Sequence, residues 1–403
     1  MCFLCFLWLD PLTYEGFATP SYQEGNTLDC MSRTDIVIIG GGIVGSSIAF
    51  NLIQDGFKGR VLVIERDPSY QFASSALAMG GVRQQFMSNV NIRMVQYSIG
   101  VFEQFPDCQF RQRGYLFLGN ESNWKKLQKR YEIQKSLGAE CELLTVADIR
   151  RLVPELRCDD LVGGLFGPKD GYVDPRAALR LLRKKAEEVG AAYISDEVQK
   201  VERGAVYGTK SGRIAADRVV IASGAFSATV AELARVELPI TPVRQQLFRC
   251  ALPRPWSYEF PVVIDPGGVH WRSDWNNEIV IAKTKPDELP GARFGCDIER
   301  FYEDFLPDLV GRLPEFRDLK LVFGWGGLYE MTPDHNGIID RHPELDWLYV
   351  AAGFSGHGLM MSPATGKLMS ELIRTGRFET VDASPLSFSR FRRNELFWDE
   401  AMI

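Results

Sequence analysis

The residues able to do chemistry lie in separate groups. Gly40-x-Gly42-x-x-Gly45 is a glycine turn, and Glu65 stands about 20 residues past it. Ser74, Ser75 and Arg83 belong to a loop of small residues, and His357 sits between Gly356 and Gly358. A turn of this spacing can bring backbone N–H groups and the positive end of a helix to a pyrophosphate. Gly40 allows the tight turn, Gly42 lets the phosphate approach, and Gly45 lets the helix pack on its strand. Glu65 is spaced to accept from a ribose hydroxyl. A histidine between two glycines at a strand-to-helix turn is rarely a core residue.

The elements that must position these groups are legible around them. Residues 36–39 are a continuous β-branched run, as in a parallel strand covered on both faces. Val44, Ile48 and Leu52 follow at helical spacing and Gly56 closes the helix. Residues 61–64 read as the next parallel strand, carrying Glu65 at its end. A carboxylate there repels a ribose 2′-phosphate, so FAD or NAD fits better than NADP. In the loop 66–83, Ser74 and Ser75 could donate to a phosphate, with Ala73, Gly80 and Gly81 permitting close contact. Arg83 has two readings, a structural ion pair or a clamp for an anionic substrate, since a buried guanidinium needs an anion in either case. Arg218-Val-Val-Ile-Ala-Ser-Gly-Ala-Phe-Ser227 is a second strand running into a turn of small residues. Residues 347–353 are a strand leading to His357, and Ser362-Pro363 is expected to open the following helix.

Composition bounds the class. The chain has 403 residues, 45% hydrophobic and 24% charged, enough for two globular domains with substantial cores. A net charge of −6 argues against nucleic acid as a partner. No apolar run reaches spanning length, and the eight cysteines are mostly widely scattered along the chain, so neither a metal site nor a disulfide framework is expected. Reduced thiols of this kind suit a cytoplasmic protein. Residues 1–33, with an apolar patch at 2–9 and no periodicity after it, read as an extension outside the fold. Between 238 and 322 prolines and aromatic residues become frequent and short strands alternate with turns, which predicts an antiparallel sheet. Gln245, Gln246, His270 and Arg272 could face a pocket there.

Several stretches together resemble the D-amino-acid-oxidase/sarcosine-oxidase family of FAD enzymes. They are the glycine turn, Glu65-Arg-Asp67 with the Ala73-Ser-Ser75 loop, Ala222-Ser-Gly-Ala-Phe-Ser227, Met331-Thr-Pro-Asp-His335 and Gly353-Phe-Ser-Gly-His-Gly358. Within it, Gly81-Val-Arg-Gln-Gln-Phe86 and the tail around Pro385-Leu-Ser-Phe-Ser-Arg-Phe391 look like the FAD-dependent oxidoreductase domain-containing proteins. The resemblance implies a mixed α/β fold: a Rossmann-like FAD-binding domain (34–100, 168–236 and 323–403) and a mainly antiparallel substrate domain (101–167 and 237–322). It implies hydride removal from the carbon beside an amine nitrogen of a small amino acid or secondary amine, of the sarcosine, dimethylglycine, glycine or D-amino-acid type. It also implies contacts to FAD by Gly40, Gly42, Ile43, Val44, Gly45, Glu65, Arg66, Ser74, Ser75, Val198, Ser223 and Gly224. Gly353, Gly356, Gly358, Leu359 and Met360 would meet the flavin ring. Arg83 matches the position that holds the substrate carboxylate, and His357 stands beside the reacting atoms.

The departures from the family pattern carry information too. Met360 replaces the lysine that follows Gly-His-Gly in sarcosine oxidases, and Gly327 replaces the cysteine that binds flavin covalently. No lysine occurs at 278–282, where the oxygen-activating lysine would align, and Lys283 is out of phase. The expectation is therefore non-covalent FAD and a dehydrogenase that passes electrons to a carrier protein or quinone. Other readings are a flavin-carrying assembly or scaffold protein, and a 2-hydroxy-acid or glycerol-phosphate dehydrogenase on the same fold.

Overall fold

In the computed structural model, residues 33–283 and 287–399 are described. The proposed extension 1–33 lies almost wholly outside them. Strand Thr34–Ile39 is the centre of the first sheet. It pairs in parallel with Val61–Glu65 on one side and with Gly212–Ile221 on the other. Ala192–Ser195 and Leu348–Ala352 extend the parallel run, and Ile338–Arg341 closes one edge antiparallel. Because side chains alternate along a strand, the sheet builds two cores. Ile36, Ile38, Val63, Val220 and Ala351 bury on one side against helices such as Ile43–Gln54 and Gly358–Thr375. Val37, Ile39, Leu62, Ile64, Val219 and Val350 bury on the other with Val201 and Val206 of an antiparallel hairpin. Helix Ile43–Gln54 and helix Gly358–Thr375 pack so closely that a Cβ on Gly366 would lie 2.2 Å from the Ser47 hydroxyl oxygen.

The helix after strand Leu348–Ala352 begins earlier than its sequence suggests. It runs Gly358–Thr375 with Pro363 inside and His357 at its N-cap. Proline removes the N–H that would bond the Leu359 carbonyl. The Ser362 hydroxyl donates to that carbonyl instead, at 2.9 Å, so the helix passes through the proline.

The second sheet is mainly antiparallel. Its order is Lys320–Met331, Thr241–Ala251, Glu278–Lys283, Val269–Asp274, Val262–Ile264, Tyr115–Asn120, Leu161–Gly167 and Glu142–Leu144, with one parallel pair between Val262–Ile264 and Tyr115–Asn120. The boundary expected at residue 323 cuts through Lys320–Met331. That strand is one element of the second sheet, paired with Thr241–Ala251 along nearly its whole length. Among the described residues no helix is long and apolar enough to cross a membrane.

Candidate active site

The carboxyl ends of the first sheet's strands open onto a cavity of about 1220 Å³, roofed by the second sheet. Crevices at this edge of open parallel sheets are where ligands bind. On the lower wall the glycine turn is held by backbone geometry. A Cβ on Gly40, at φ +106°, would lie 2.4 Å from the Ala222 carbonyl oxygen, and one on Gly45 would lie 1.9 Å from that of Gly40. Gly42 is different: a Cβ there would meet only the Ser75 hydroxyl oxygen, at 3.5 Å. Its side of the turn is a cradle open to the cavity. Glu65 accepts from the Gly41 N–H and the Asp67 N–H, both at 2.8 Å. Burial nevertheless raises its pKa above the usual carboxylate value.

The loop after Glu65 spans the two sheets. Ser75 accepts from the Ile43 N–H at 3.2 Å, which ties the loop to the helix start. The Ser74 hydroxyl donates to the Leu328 carbonyl at 2.7 Å, so its proton is committed to the second sheet and not to the glycine turn. Ser223 donates to the Ile39 carbonyl at 2.8 Å. Arg66 lies over the Phe226 ring, 4.5 Å to its centroid, and pairs with Glu197 at 3.7 Å. Ile43, Val44, Val198 and Gly224 complete this wall.

At the helix start, Gly356, His357, Gly358, Leu359 and Met360 line the cavity. The first-turn N–H groups of an 18-residue helix point toward it, a favourable environment for negative charge. Gly353 lies one step back: its N–H donates to the Glu330 carboxylate at 2.8 Å. Burial pushes the Glu330 carboxyl up to about 7, opposed by the Gly353 and Phe354 amides. Arg83 is 1% exposed and lines the same cavity. Its Nη1 donates to the Gln85 carbonyl at 2.8 Å, its Nη2 lies 3.3 Å from His357 Nε2, and the guanidinium sits over the Phe86 ring. His357 Nδ1 contacts the Phe354 carbonyl at 3.3 Å. A carbonyl only accepts, so Nδ1 carries the proton and Nε2 accepts from Arg83. Burial and the guanidinium hold His357 down at about 3. It is a neutral imidazole. Behind Arg83, Asp170 accepts from the Gln84 N–H and the Gln85 amide and fixes the loop.

Of the second-sheet residues singled out in the sequence, Gln245 and His270 line the cavity. Gln246 instead binds Glu288 at 2.6 Å and the Asp297 N–H at 2.7 Å. Arg272 is held by the Met79 carbonyl at 2.7 Å and Asp274 at 2.8 Å. Lys283 is turned away onto Asp308 at 2.6 Å. Among the described lining residues there is no lysine, and the arginines are Arg66 and Arg83. Tyr115, Tyr329, Glu330 and Ile264 also line the cavity and were not foreseen. Cross-strand register brings them there, and that register is not written in any one segment.

A glycine turn with an open cradle and a ribose-spaced carboxylate, facing a roofed cavity on an open parallel sheet, defines a dinucleotide-binding protein. The residues fit FAD, since Gly42 leaves space for a phosphate where a side chain would fill it. A model of the FAD dependent oxidoreductase family, DAO, matches residues 35–372. FAD-dependent oxidoreductase domain-containing protein 1 of Bos taurus is 31% identical over 412 residues, covering 89% of this chain and 85% of that one. Glycine oxidase of Geobacillus kaustophilus is 27% identical over 376 residues, covering 89% and 97%. The crystal structure of L-proline dehydrogenase from P. horikoshii matches with a TM-score of 0.84 at 30% identity, over 91% and 99% of the two chains. The chain belongs to the DAO family of FAD-dependent oxidoreductases.

Proposed function

We propose that this protein oxidises the C–N bond of a small amino acid or N-alkyl amino acid to an imine, which water then hydrolyses. The observation that carries the reading is Arg83, a buried guanidinium in the wall of the cavity, next to a histidine that brings no competing charge. Arg83 holds the substrate carboxylate, and His357 and the Gln85 carbonyl hold Arg83 in place. The L-proline dehydrogenase and the glycine oxidase named above agree with an amino-acid substrate. FAD, when bound, supplies the two-electron acceptor. The turn residues Gly40, Gly42, Ile43 and Val44, with Glu65, Arg66, Ser75, Val198, Ser223 and Gly224, hold its adenosine and phosphates, and Gly45 lets the helix pack closely enough to keep the turn in shape. Gly356, Gly358, Leu359 and Met360 border its ring, and Gly353 supports them from one step behind.

The cofactor is bound without a covalent bond, because Gly327 offers no nucleophile. With no described lysine in the cavity wall and a neutral His357, reoxidation by oxygen is slow, and a carrier protein or quinone takes the electrons. Among the described residues Cys108, Cys141, Cys158, Cys250 and Cys296 are free thiols, which suits a reducing, cytoplasmic setting.

Replacing Arg83 by Lys or Ala tests the reading. The FAD content should hold while KM rises about 30-fold, the equivalent of about 2 kcal/mol for a charge-assisted contact. Loss of FAD with a normal KM would reduce Arg83 to a structural residue.

A further inference from the structure

The composition of the cavity roof follows from strand register. Ile264 pairs with His270, His270 with Ala282, and Ala282 with Leu247. Residues paired across strands point to the same face, and all four line the cavity. The row is apolar except for one side chain, that of His270. Its Nδ1 lies 3.1 Å from the Gly268 carbonyl, which can only accept, so Nδ1 carries the ring hydrogen. Nε2 is then a lone-pair acceptor, and among the described residues nothing bonds to it. Burial and the field of Arg83 lower the pKa of the ring from its ordinary value, which keeps it neutral. The cavity wall thus contains a guanidinium suited to a carboxylate and, in an otherwise apolar row of the roof, a ring acceptor suited to an N–H.

We propose that His270 Nε2 accepts the N–H of the substrate's reacting nitrogen and so selects primary and secondary amino acids over tertiary ones. The inference rests on the amino-acid reading above and narrows it. When hydride leaves the carbon with its electron pair for FAD, the nitrogen lone pair closes the C=N bond, so the nitrogen enters that step neutral. A neutral primary or secondary amine still has an N–H to donate. A neutral tertiary amine has none, and its alkyl groups would leave the Nε2 lone pair buried without a donor. Sarcosine-like and proline-like substrates satisfy the site; dimethylglycine does not. His270 is on this account a specificity-determining residue.

The test compares two planar carboxylates of nearly one shape, pyrrole-2-carboxylate and furan-2-carboxylate, binding to the FAD-loaded protein by calorimetry. The first presents a ring N–H where the second presents an oxygen lone pair. Pyrrole-2-carboxylate should bind about tenfold more tightly, the range of one neutral hydrogen bond. His270→Leu should bring the ratio near one, and His270→Gln, whose amide oxygen can accept, should restore part of it. The wild-type comparison needs no substitution, so a poorly folding variant does not blunt it. Equal affinities in wild type, with both ligands still dependent on Arg83, would overturn the role of His270 and leave the amino-acid reading standing. Failure of both ligands to bind would overturn the two together. Flavin reduction by dimethylglycine as fast as by sarcosine would also overturn the selection.

Discussion

Burial decides the charge states of single side chains around this cavity. His357 is held at about 3 from an ordinary 6.5 because burial and Arg83 both disfavour its cation. Below the ordinary value the unfolded chain protonates this residue while the folded protein leaves it neutral. Unfolding therefore takes up a proton there, and stability is lost as pH falls through the window from 6.5 toward 3. Glu330 and Asp170, both pushed up to about 7 by burial, act with the opposite sign, since they favour the folded state while protonated. The informative quantity is the difference between wild type and His357→Gln, whose amide oxygen can still accept from Arg83. Thermal denaturation of the FAD-loaded variant across that window should lose less stability on acidification, by about one proton's worth of slope. Identical slopes would mean that His357 is not held neutral in the folded protein.

At the scale of the element, the glycine turn separates folding from binding. A Cβ on Gly45 would fall 1.9 Å from the Gly40 carbonyl oxygen, whereas one on Gly42 has room. Gly42 also has an unexceptional φ of −62°. Gly45→Ala should therefore destabilise the FAD-free protein by about 2 kcal/mol or more, as overpacked sites do. Gly42→Ala should leave the FAD-free melting temperature unchanged and weaken FAD binding at least about tenfold, measured by fluorescence titration. A Gly42→Ala protein with normal FAD affinity would remove the phosphate from that cradle. The turn was legible in the sequence because strand, glycines and helix are contiguous and each obeys a local rule. Pro363 misled because proline usually marks a helix start, and the bond from Ser362 that lets the helix pass it is a detail of geometry. Tyr115, Ile264 and His270 come to the cavity through pairings between strands as distant as Tyr115–Asn120 and Val262–Ile264. No single segment encodes that register. The boundary expected at residue 323 falls inside Lys320–Met331, whose pairing with Thr241–Ala251 is likewise a matter of long-range register.

The whole molecule sets a mainly parallel sheet beneath a mainly antiparallel one with the cavity between them, and the loop from Glu65 to Arg83 is joined to both sides through Ser75 and Ser74. If Gly327 leaves the flavin unattached, acid precipitation should put the yellow colour in the supernatant; a yellow pellet would contradict that. Stopped-flow mixing of the reduced protein with air-saturated buffer should give reoxidation slower than turnover with an artificial acceptor. Reoxidation as fast as turnover would make the protein an oxidase. The central claim, amino-acid oxidation at this cavity, is tested most directly by anaerobic flavin bleaching with N-methyl amino acids, imino acids, D-amino acids and 2-hydroxy acids in parallel. The account predicts bleaching by at least one secondary or primary amino acid, lost in Arg83→Ala at the same substrate concentration. Bleaching by hydroxy acids alone, or by none of the panel in protein that carries FAD, would contradict it.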